Sequence, residues 1–341
     1  MAELVSRVML DAIEKTIVRQ GSFFRDKFFQ VVYAVPERVF EYDRITYNDN
    51  RLPFAGYESE STTDAVQGFD TQTARFECIR HKHVITPFEL ENRLPGRTAY
   101  DDAEKIAELQ NISYGELERA LIRTEESMAI QALTQGKVDV TLADGSTKNL
   151  ATYWTTPVTG GVDDPIVTAS AVWGASTTGA QMLEDILGWQ NLIIQNGGAA
   201  PNTLVVAADI GAKLARALMA TPTALLNPGN VDAGAQYDME GIQYLGQFAG
   251  LSLYASGAAL GGSQLLPSGS ALLGSSSVAK MMYGPTYLPV GEEGMTRYIG
   301  RRSVYSDVKR DPVAIANIIQ STPLPLVRRK WDVLYIKGLS S

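Results

Sequence analysis

The chain has 341 residues, of which 45% are hydrophobic and 20% are charged; this composition is typical of globular proteins and excludes an intrinsically disordered one. The formal net charge of −8 excludes a protein whose main task is gripping nucleic acid, because such binding depends on Lys and Arg neutralising phosphates. Cys78 is the single cysteine, so no disulfide within the chain is possible, which is typical of a reducing compartment. The first twenty residues are rich in charge, and no apolar run reaches about 18 residues, so the sequence predicts neither a signal peptide nor a membrane segment. Together these observations predict a cytoplasmic protein.

Residues 1–20 repeat apolar side chains with helical spacing, and Gly21 follows as a stop, which predicts an amphipathic helix. This helix either packs on its own core or docks on another chain; the sequence leaves both open. A cluster of phenylalanines comes next, and such a cluster indicates burial in a core or in an interface. Its members are Phe23, Phe24, Phe28 and Phe29.

The segment 48–73 has no helical stripe and little alternation. Loops longer than about 12–15 residues without structure of their own are usually functional or disordered. Strand-like sequence flanks this one, with "VFEYDRITY" before it and "ARFECIRHKHVITPF" after it. We therefore expect a long two-stranded arm, which has to lie on something else because an isolated hairpin is marginal in water.

From residue 101 to Gly136 the apolar residues follow a helical period. The pattern predicts one long helix or two consecutive ones, with Ser113 as a cap between them and Gly115 as a soft point. A hairpin with a favoured turn at Asp144 and Gly145 is expected to follow.

A linker at 160–165 leads into a region that alternates helices and strands. A helix ending at Gly197, a buried strand "TLVVAA", a second helix and many short strands predict a mixed α/β layer up to about residue 305. The end of the chain returns to strands, where Pro323 and Pro325 exclude a central ladder.

The two histidines, His81 and His83, lie two apart and so project from the same face of a strand. Glu77 shares their parity, but a zinc site needs three or four ligands and no further Cys or His cluster exists, so a bare strand is the favoured interpretation. Cys78 is expected to be a small buried residue on the opposite face. No G-x-S-x-G elbow and no phosphate-binding loop accompanies them.

Paired carboxylates at Asp101 and Asp102, at Glu125 and Glu126, and at Glu292 and Glu293 are interpreted as solvated faces. The arginine pairs at 301–302 and 328–329 suit salt links between subunits. The sequence therefore favours an architectural protein, without a catalytic site, over an enzyme.

Three stretches carry a resemblance to a known family. They are "SFFRDKFFQVVYAVPERVFEYDRI" at 22–45, "RHKHVITPFELENRLPGR" at 80–97 and "RDPVAIANIIQSTPLPLVRRKWDVLYIKGL" at 310–339. The chain resembles the major capsid proteins of tailed bacteriophages, specifically the phage-lambda-type group, which have the Hong Kong 97 capsid fold. These stretches cover about a quarter of the chain, and the order of elements matches nearly all of it.

The resemblance implies an α+β fold with five parts. They are an N-terminal arm at 1–35, an extended β-hairpin loop with flanking strands at 36–86, a peripheral domain with a long spine helix at 87–154, an α/β axial domain at 155–305, and C-terminal strands at 306–341 that return to the peripheral domain.

The implied function is a major head protein that assembles as pentamers and hexamers into an icosahedral shell around double-stranded DNA, with a procapsid that expands on packaging. The implied partners are many copies of itself, a portal, a separate scaffold protein, a decoration protein and non-specifically held DNA, without a membrane. The shell is assembled in the host cytoplasm and becomes part of the virion.

No catalytic, cofactor-binding or metal-binding residue is implied by the resemblance. The candidate subunit contacts are Phe23, Phe24, Phe28, Arg51, Phe54, Tyr57, Arg301, Arg302, Arg328 and Arg329. Two alternatives stay open: an encapsulin-like compartment, which shares the fold, and a metal-dependent enzyme using His81 and His83.

Overall fold

A computed structural model gives the arrangement of most of the chain. The residues that it describes are 22–33, 37–45, 69–91, 102–154, 164–174, 176–220, 236–239, 241–248, 250–257, 259–260, 263–290 and 294–340. The helix predicted over 1–20, the linker at 160–163 and residues 48–68 of the predicted arm lie outside these ranges.

The helices of the described residues differ greatly in length. They are α1 (Phe23–Phe28), α2 (Pro87–Glu91), α3 (Asp102–Gln135), α4 (Gly179–Gln195) and α5 (Ala208–Ala220), with a 3-10 turn at Lys330–Asp332. None of them combines the length and apolarity that crossing a bilayer requires.

The strands are short and numerous. In the first half of the chain they are β1 (Phe29–Tyr33), β2 (Val39–Ile45), β3 (Phe69–Arg75), β4 (Ile79–Ile85), β5 (Lys137–Thr141), β6 (Thr147–Thr152) and β7 (Ile166–Thr168). In the middle they are β8 (Thr203–Ala207), β9 (Gln236–Met239), β10 (Ile242–Phe248), β11 (Leu251–Ser256), β12 (Ala259–Leu260), β13 (Ser263–Gln264) and β14 (Ala271–Gly274). Towards the end they are β15 (Ala279–Tyr283), β16 (Pro285–Val290), β17 (Gly294–Ile299), β18 (Ser303–Arg310), β19 (Val313–Ser321), β20 (Pro323–Leu326) and β21 (Val333–Lys337).

A mixed sheet of seven strands, in the order β7-β21-β14-β8-β11-β10-β9, is the largest in the described part of the chain. Because side chains alternate along a strand, Leu204 and Val206 of β8 face the core formed with α4 and α5. Val205 and Ala207 face the opposite core. Both faces are covered, which explains why β8 is a continuous apolar run.

The second core joins α1, the C-terminal half of α3 and the small sheet β1-β15-β20 to the back of the large sheet. The N-terminal half of α3 packs on a third sheet, β18-β19-β4, through Tyr114, Leu117 and Leu121 against Ile319. The helix α3 has 34 residues and spans about 50 Å. It therefore connects two regions of the subunit.

Several local predictions are confirmed. The hairpin β5-β6 turns at Asp144 and Gly145, where Gly145 has φ +83°. Helix α4 ends before Gly197, whose φ of +75° favours glycine. Strand β20, with Pro323 and Pro325, lies at the edge of its sheet, where a missing backbone N–H is tolerated.

Of the two alternatives for residues 101–136, one long helix or two consecutive ones, the structure has the single helix α3. Ser113 is fully buried inside one continuous helix, so it caps nothing. No proline interrupts α3, and Gly115 alone costs only about 1 kcal/mol in a helix. The apolar stripe therefore continues through Ser113 and Gly115 without interruption.

The predicted arm is built differently from expectation. Strand β2 pairs with β3, which begins at Phe69, within the segment that showed no pattern. Strand β4 pairs with β19 instead, so "RHKHVI" belongs to the three-stranded sheet and not to the arm. Phe76 is buried against Phe40 and lies on Gly284, which holds the chain where it passes between the two sheets.

The C-terminal residues divide between two sheets. Strand β19 packs against α3, and Ser306 of β18 lies 2.8 Å from the Tyr114 hydroxyl of α3. Strand β21 lies between β7 and β14 inside the seven-stranded sheet. Val333 and Leu334 are both fully buried although they point to opposite faces, which suits a central strand.

Candidate functional site

The three phenylalanines predicted as subunit contacts lie in the core of their own subunit. Phe23 is 6% exposed, and Phe24 and Phe28 are fully buried. Phe23 packs on Tyr254 with ring centroids 4.9 Å apart, and Phe24 stacks on Phe28 at 6.3 Å. Burying each of these rings contributes about 2–3 kcal/mol to folding, so their side chains anchor α1 within the subunit.

The other predicted contacts fall into three groups. Arg51, Phe54 and Tyr57 lie outside the described residues. Arg328 and Arg329 are exposed just before the 3-10 turn, and their role between subunits stays a prediction. Arg301 and Arg302 pair with carboxylates of their own chain.

Arg301 and Arg302 meet α3 in what we call the arginine–glutamate cluster, formed by Arg25, Glu118, Glu125, Arg301 and Arg302. Arg301 Nη2 lies 3.1 Å from Glu125 Oε2 and 3.8 Å from Glu118 Oε1. Arg302 pairs with Glu118. Arg25 Nη1 donates to Glu125 Oε2 at 2.5 Å. The cluster thus ties the N-terminal helix α1 and the start of β18 to one face of α3.

The carboxylates maintain the charge of these arginines despite burial. Burial and the neighbouring Arg301 oppose the charge on Arg25, but Glu125 and Asp26 outweigh them and raise the pKa of Arg25. Burial likewise opposes the charge on Arg301, and Glu125 raises its pKa. Removing one member of such a buried network leaves an uncompensated charge, which typically costs about 3–5 kcal/mol.

Glu126 stands next to the cluster and binds the backbone of α1. Its Oε1 accepts from the Phe24 N–H at 2.7 Å and its Oε2 accepts from the Arg25 N–H at 3.0 Å. These two N–H groups belong to the first turn of α1, which has no side-chain cap at Ser22. Burial raises the pKa of Glu126 to about 7, although the two backbone hydrogen bonds lower it.

The charges of this region nearly balance. Three arginines face four carboxylates: Arg25, Arg301 and Arg302 against Asp26, Glu118, Glu125 and Glu126. When Glu126 takes up a proton, three positive charges meet three negative ones. The rise in the pKa of Glu126 comes from burial, because the positive charge of Arg25 lowers that pKa.

The expectation that Glu125 and Glu126 lie on a solvated face is wrong. Glu125 is fully buried and Glu126 is 6% exposed, because α1 and the chain before β18 cover this side of α3. Glu118 and Arg25 were not singled out from the sequence. A signal existed, since Glu118 and Glu125 are seven residues apart and so share one helix face with the apolar Leu121.

The two histidines lie on β4, as predicted. His81 is exposed and opposite Ile319, whereas His83 is half-buried and opposite Asn317. Asn317 Oδ1 accepts from Ser306 Oγ at 3.0 Å, and Ser306 Oγ lies 2.8 Å from the Tyr114 hydroxyl of α3. Asn317, opposite His83, therefore takes part in a polar contact between the β18-β19-β4 sheet and α3.

The described residues include no group of three His, Cys, Asp or Glu side chains that could hold a metal ion. Glu77, which shares parity with the histidines, is engaged elsewhere. It pairs with Lys148 and accepts from Arg38 Nη2 at 3.0 Å. The hydrogen bond from Lys148, followed by that from Arg38, lowers the pKa of Glu77.

Cys78 is exposed, and the prediction that it is buried is wrong. Strand β4 begins at Ile79, so Cys78 lies in the short link between β3 and β4 and not within a strand. The alternation of side chains along β4 therefore does not determine the burial of Cys78.

The buried charged residues of this subunit therefore connect α1, α3 and the start of β18 within one chain. A model of the family described as phage major capsid protein E matches residues 6–334 of the chain. The chain belongs to this family. No curated protein matches the sequence.

Solved structures with the same fold extend over nearly the whole chain of this capsid protein. A protein assigned as the capsid protein of a prophage in Escherichia coli CFT073 is 14% identical with a TM-score of 0.65, covering 98% of this chain and 99% of that one. The capsid of cyanophage P-SCSP1u is 9% identical with a TM-score of 0.52, covering 95% and 90%. The mature capsid of bacteriophage PhiM1 is 11% identical with a TM-score of 0.52, covering 94% and 87%.

The resemblance seen in the sequence is therefore confirmed. The chain is a tailed-phage major capsid protein with the Hong Kong 97-type fold, and it is a structural component of the virion.

Proposed function

We propose that copies of this chain assemble as pentamers and hexamers into an icosahedral shell that encloses double-stranded DNA. The observation that carries the proposal is the capsid family match over residues 6–334. The net charge of −8 fits a container that holds DNA without gripping it, because tight binding would need a basic surface.

The β2-β3 ladder supports the part of the proposal that concerns contacts between copies. One face, with Phe40 and Ala74, packs on the core, whereas Val39 is 47% exposed on the other face. The ladder has only two strands, and such pairs are marginal without a surface to lie on. We propose that this ladder and the segment between its two strands form the extended loop within the part at 36–86, and that this loop lies across a neighbouring subunit.

We also propose the division of the chain into the domains that the family resemblance implies. The N-terminal arm is 1–35, the peripheral domain is 87–154 with α3 as its spine, the axial domain is 155–305, and 306–341 closes the fold. Expansion on packaging is proposed as a rigid-body rotation of subunits. A portal, a separate scaffold, a decoration protein and assembly in the host cytoplasm complete the proposal.

Replacing the arm tests the proposal. Ile45 pairs with Phe69 at the end of the ladder, so residues 46–68 can be exchanged for Asn-Gly, a turn that closes two-residue hairpins. We expect the variant to give the circular dichroism and melting transition of the wild type but no closed shells in negative-stain electron microscopy. Wild-type protein under the same conditions should form shells.

The matched control alters another exposed hairpin turn. Asp144→Asn in the β5-β6 turn keeps a favoured turn sequence and should assemble as the wild type does. Closed shells from the arm replacement would contradict the role of the arm, and a wild type that never assembles, even when expressed together with the proposed scaffold protein, would contradict the proposed function.

A further inference from the structure

Strands β16 and β17 form a two-stranded ribbon that stands apart from the larger sheets. The register pairs Pro285 with Ile299, Tyr287 with Arg297, and Pro289 with Met295. Because directly paired residues share a face and the side chains alternate, these six residues lie on one side of the ribbon. We call this side the outer ribbon face.

The outer ribbon face is open to solvent although it is mostly apolar. Met295 is 81% exposed, Tyr287 is 53% exposed and Ile299 is 38% exposed. The opposite side is covered at the base of the ribbon, where Thr286 is 2% exposed. Within the ribbon, Thr286 Oγ1 donates to the carbonyl of its partner Tyr298 at 3.2 Å, and Tyr298 lies against Gly300, where a Cβ would overlap its ring. The base of the ribbon is thus buried on one side, whereas the outer ribbon face is exposed along its length.

Exposed apolar clusters of this kind mark surfaces that bind another molecule. The edge of β16 is a poor template for an added strand, because Pro285 and Pro289 have no backbone N–H to donate. The β16 edge is therefore less suited to binding another molecule than the side chains of the outer ribbon face.

We propose that the outer ribbon face packs against a second copy of this chain, as one of the contacts that close the shell. The inference rests on the proposed function. A stable interface between two partners uses about 20–30 residues on each side, and this face offers six, so it is too small to hold one partner alone. A contact of this size fits an assembly in which many copies engage at once.

The test places a carboxylate on either side of the ribbon. Met295→Asp puts a charge on the outer ribbon face, and Thr296→Asp is the matched control because Thr296 is exposed on the opposite side. At each contact the new carboxylate would be buried among apolar side chains without a partner, which disfavours the contact. We expect Met295→Asp to raise the protein concentration needed for shell formation at least about 10-fold and Thr296→Asp to change it little.

Photo-crosslinking in shells of purified protein identifies the occupant. A benzophenone side chain at position 295 should give an adduct of two chains, and the same group at position 296 should give much less. Both variants should melt as the wild type does, because neither position is buried.

The outcomes separate the two claims. Wild-type shells, with Met295→Asp assembling as readily as wild type or with no two-chain adduct from position 295, would overturn the ribbon contact and leave the proposed function standing. Wild-type protein that forms no shells would overturn both.

Discussion

Glu126 shows how burial and hydrogen bonding oppose each other at one residue. Two backbone N–H groups of α1 stabilise its charged form, and burial disfavours that form more strongly, so its pKa lies near 7. The charged groups facing it are Arg25 and Asp26 from α1. Near neutral pH, a small change in acidity therefore changes the charge at the point where α1 is held.

This residue predicts a pH dependence of stability. The folded-state pKa of about 7 lies above the ordinary value of 4.5, so the folded state binds the proton more tightly. The stabilisation is fully present below about pH 4.5 and is lost as the pH rises through 7, a change of roughly 3 kcal/mol. Glutamine cannot lose this proton, so the unfolding free energy of Glu126→Gln should rise relative to that of the wild type, by up to roughly 3 kcal/mol, between pH 4.5 and 8.

Urea unfolding at a series of pH values measures that difference. The control is Glu116→Gln, because Glu116 is exposed on the same helix and its curve should run parallel to the wild type. Parallel curves for Glu126→Gln as well would show that Glu126 does not titrate in this range.

Helix α3 behaves as one element whose two glycines have opposite roles. Gly115 lies inside the helix, and no other described residue comes within 4 Å of the point where its Cβ would be, so close packing does not require a glycine there. Gly136 ends the helix at φ +68°, and a Cβ there would overlap the Trp154 indole. Gly115 therefore lowers the stability of α3, whereas Gly136 allows the positive φ at which the helix ends.

Alanine at these two positions should therefore shift stability in opposite directions. Gly115→Ala should stabilise the subunit by about 0.5–1 kcal/mol, because glycine in a helix interior carries an entropic cost of that size. Gly136→Ala should destabilise it by about 2 kcal/mol or more, since alanine is strained at positive φ and displaces Trp154.

Denaturant unfolding of the two variants gives both free energies in one experiment, with each variant serving as the other's control. A stable Gly136→Ala protein would show that the helix end and Trp154 adjust without cost. Loss of stability in Gly115→Ala would show that this position meets another part of the chain.

At the scale of the whole molecule, the two chain ends complete the interior. Helix α1 is held by α3 through Glu125 and Glu126, and β21 fills the place between β7 and β14. Residues far apart in sequence thus form the two large cores, and both include side chains of the last strand.

Truncation after Lys330 should therefore prevent folding and not only assembly. It removes β21 with the fully buried Val333, Leu334 and Ile336, leaving β7 without its partner and the edge of β14 bare. We expect no cooperative thermal transition and a mostly insoluble product. Removal of residues 340–341 alone is the control and should leave the transition in place; a cooperative melt after truncation at Lys330 would contradict the central role of β21.

The sequence by itself determined the helix ends, turns and strands that depend only on residues close to them in the chain. The apolar run of β8, the stops at Gly136 and Gly197, the β5-β6 turn and the edge prolines of β20 each follow from neighbouring residues. Three stretches also indicated the family, because they combine strand pattern with particular residues in a particular order.

Only the tertiary structure decided which charges are buried and which strands pair. Glu125 binds Arg25 and Arg301, which are 100 and 176 residues away in the chain, so no local pattern could show that it is covered. Strand β4 pairs with β19 rather than with the arm, and β21 enters the large sheet, for the same reason. Burial of a charge and pairing of a strand depend on contacts with residues distant in sequence. The local sequence around a carboxylate or a strand does not show whether it contacts water or another part of the chain.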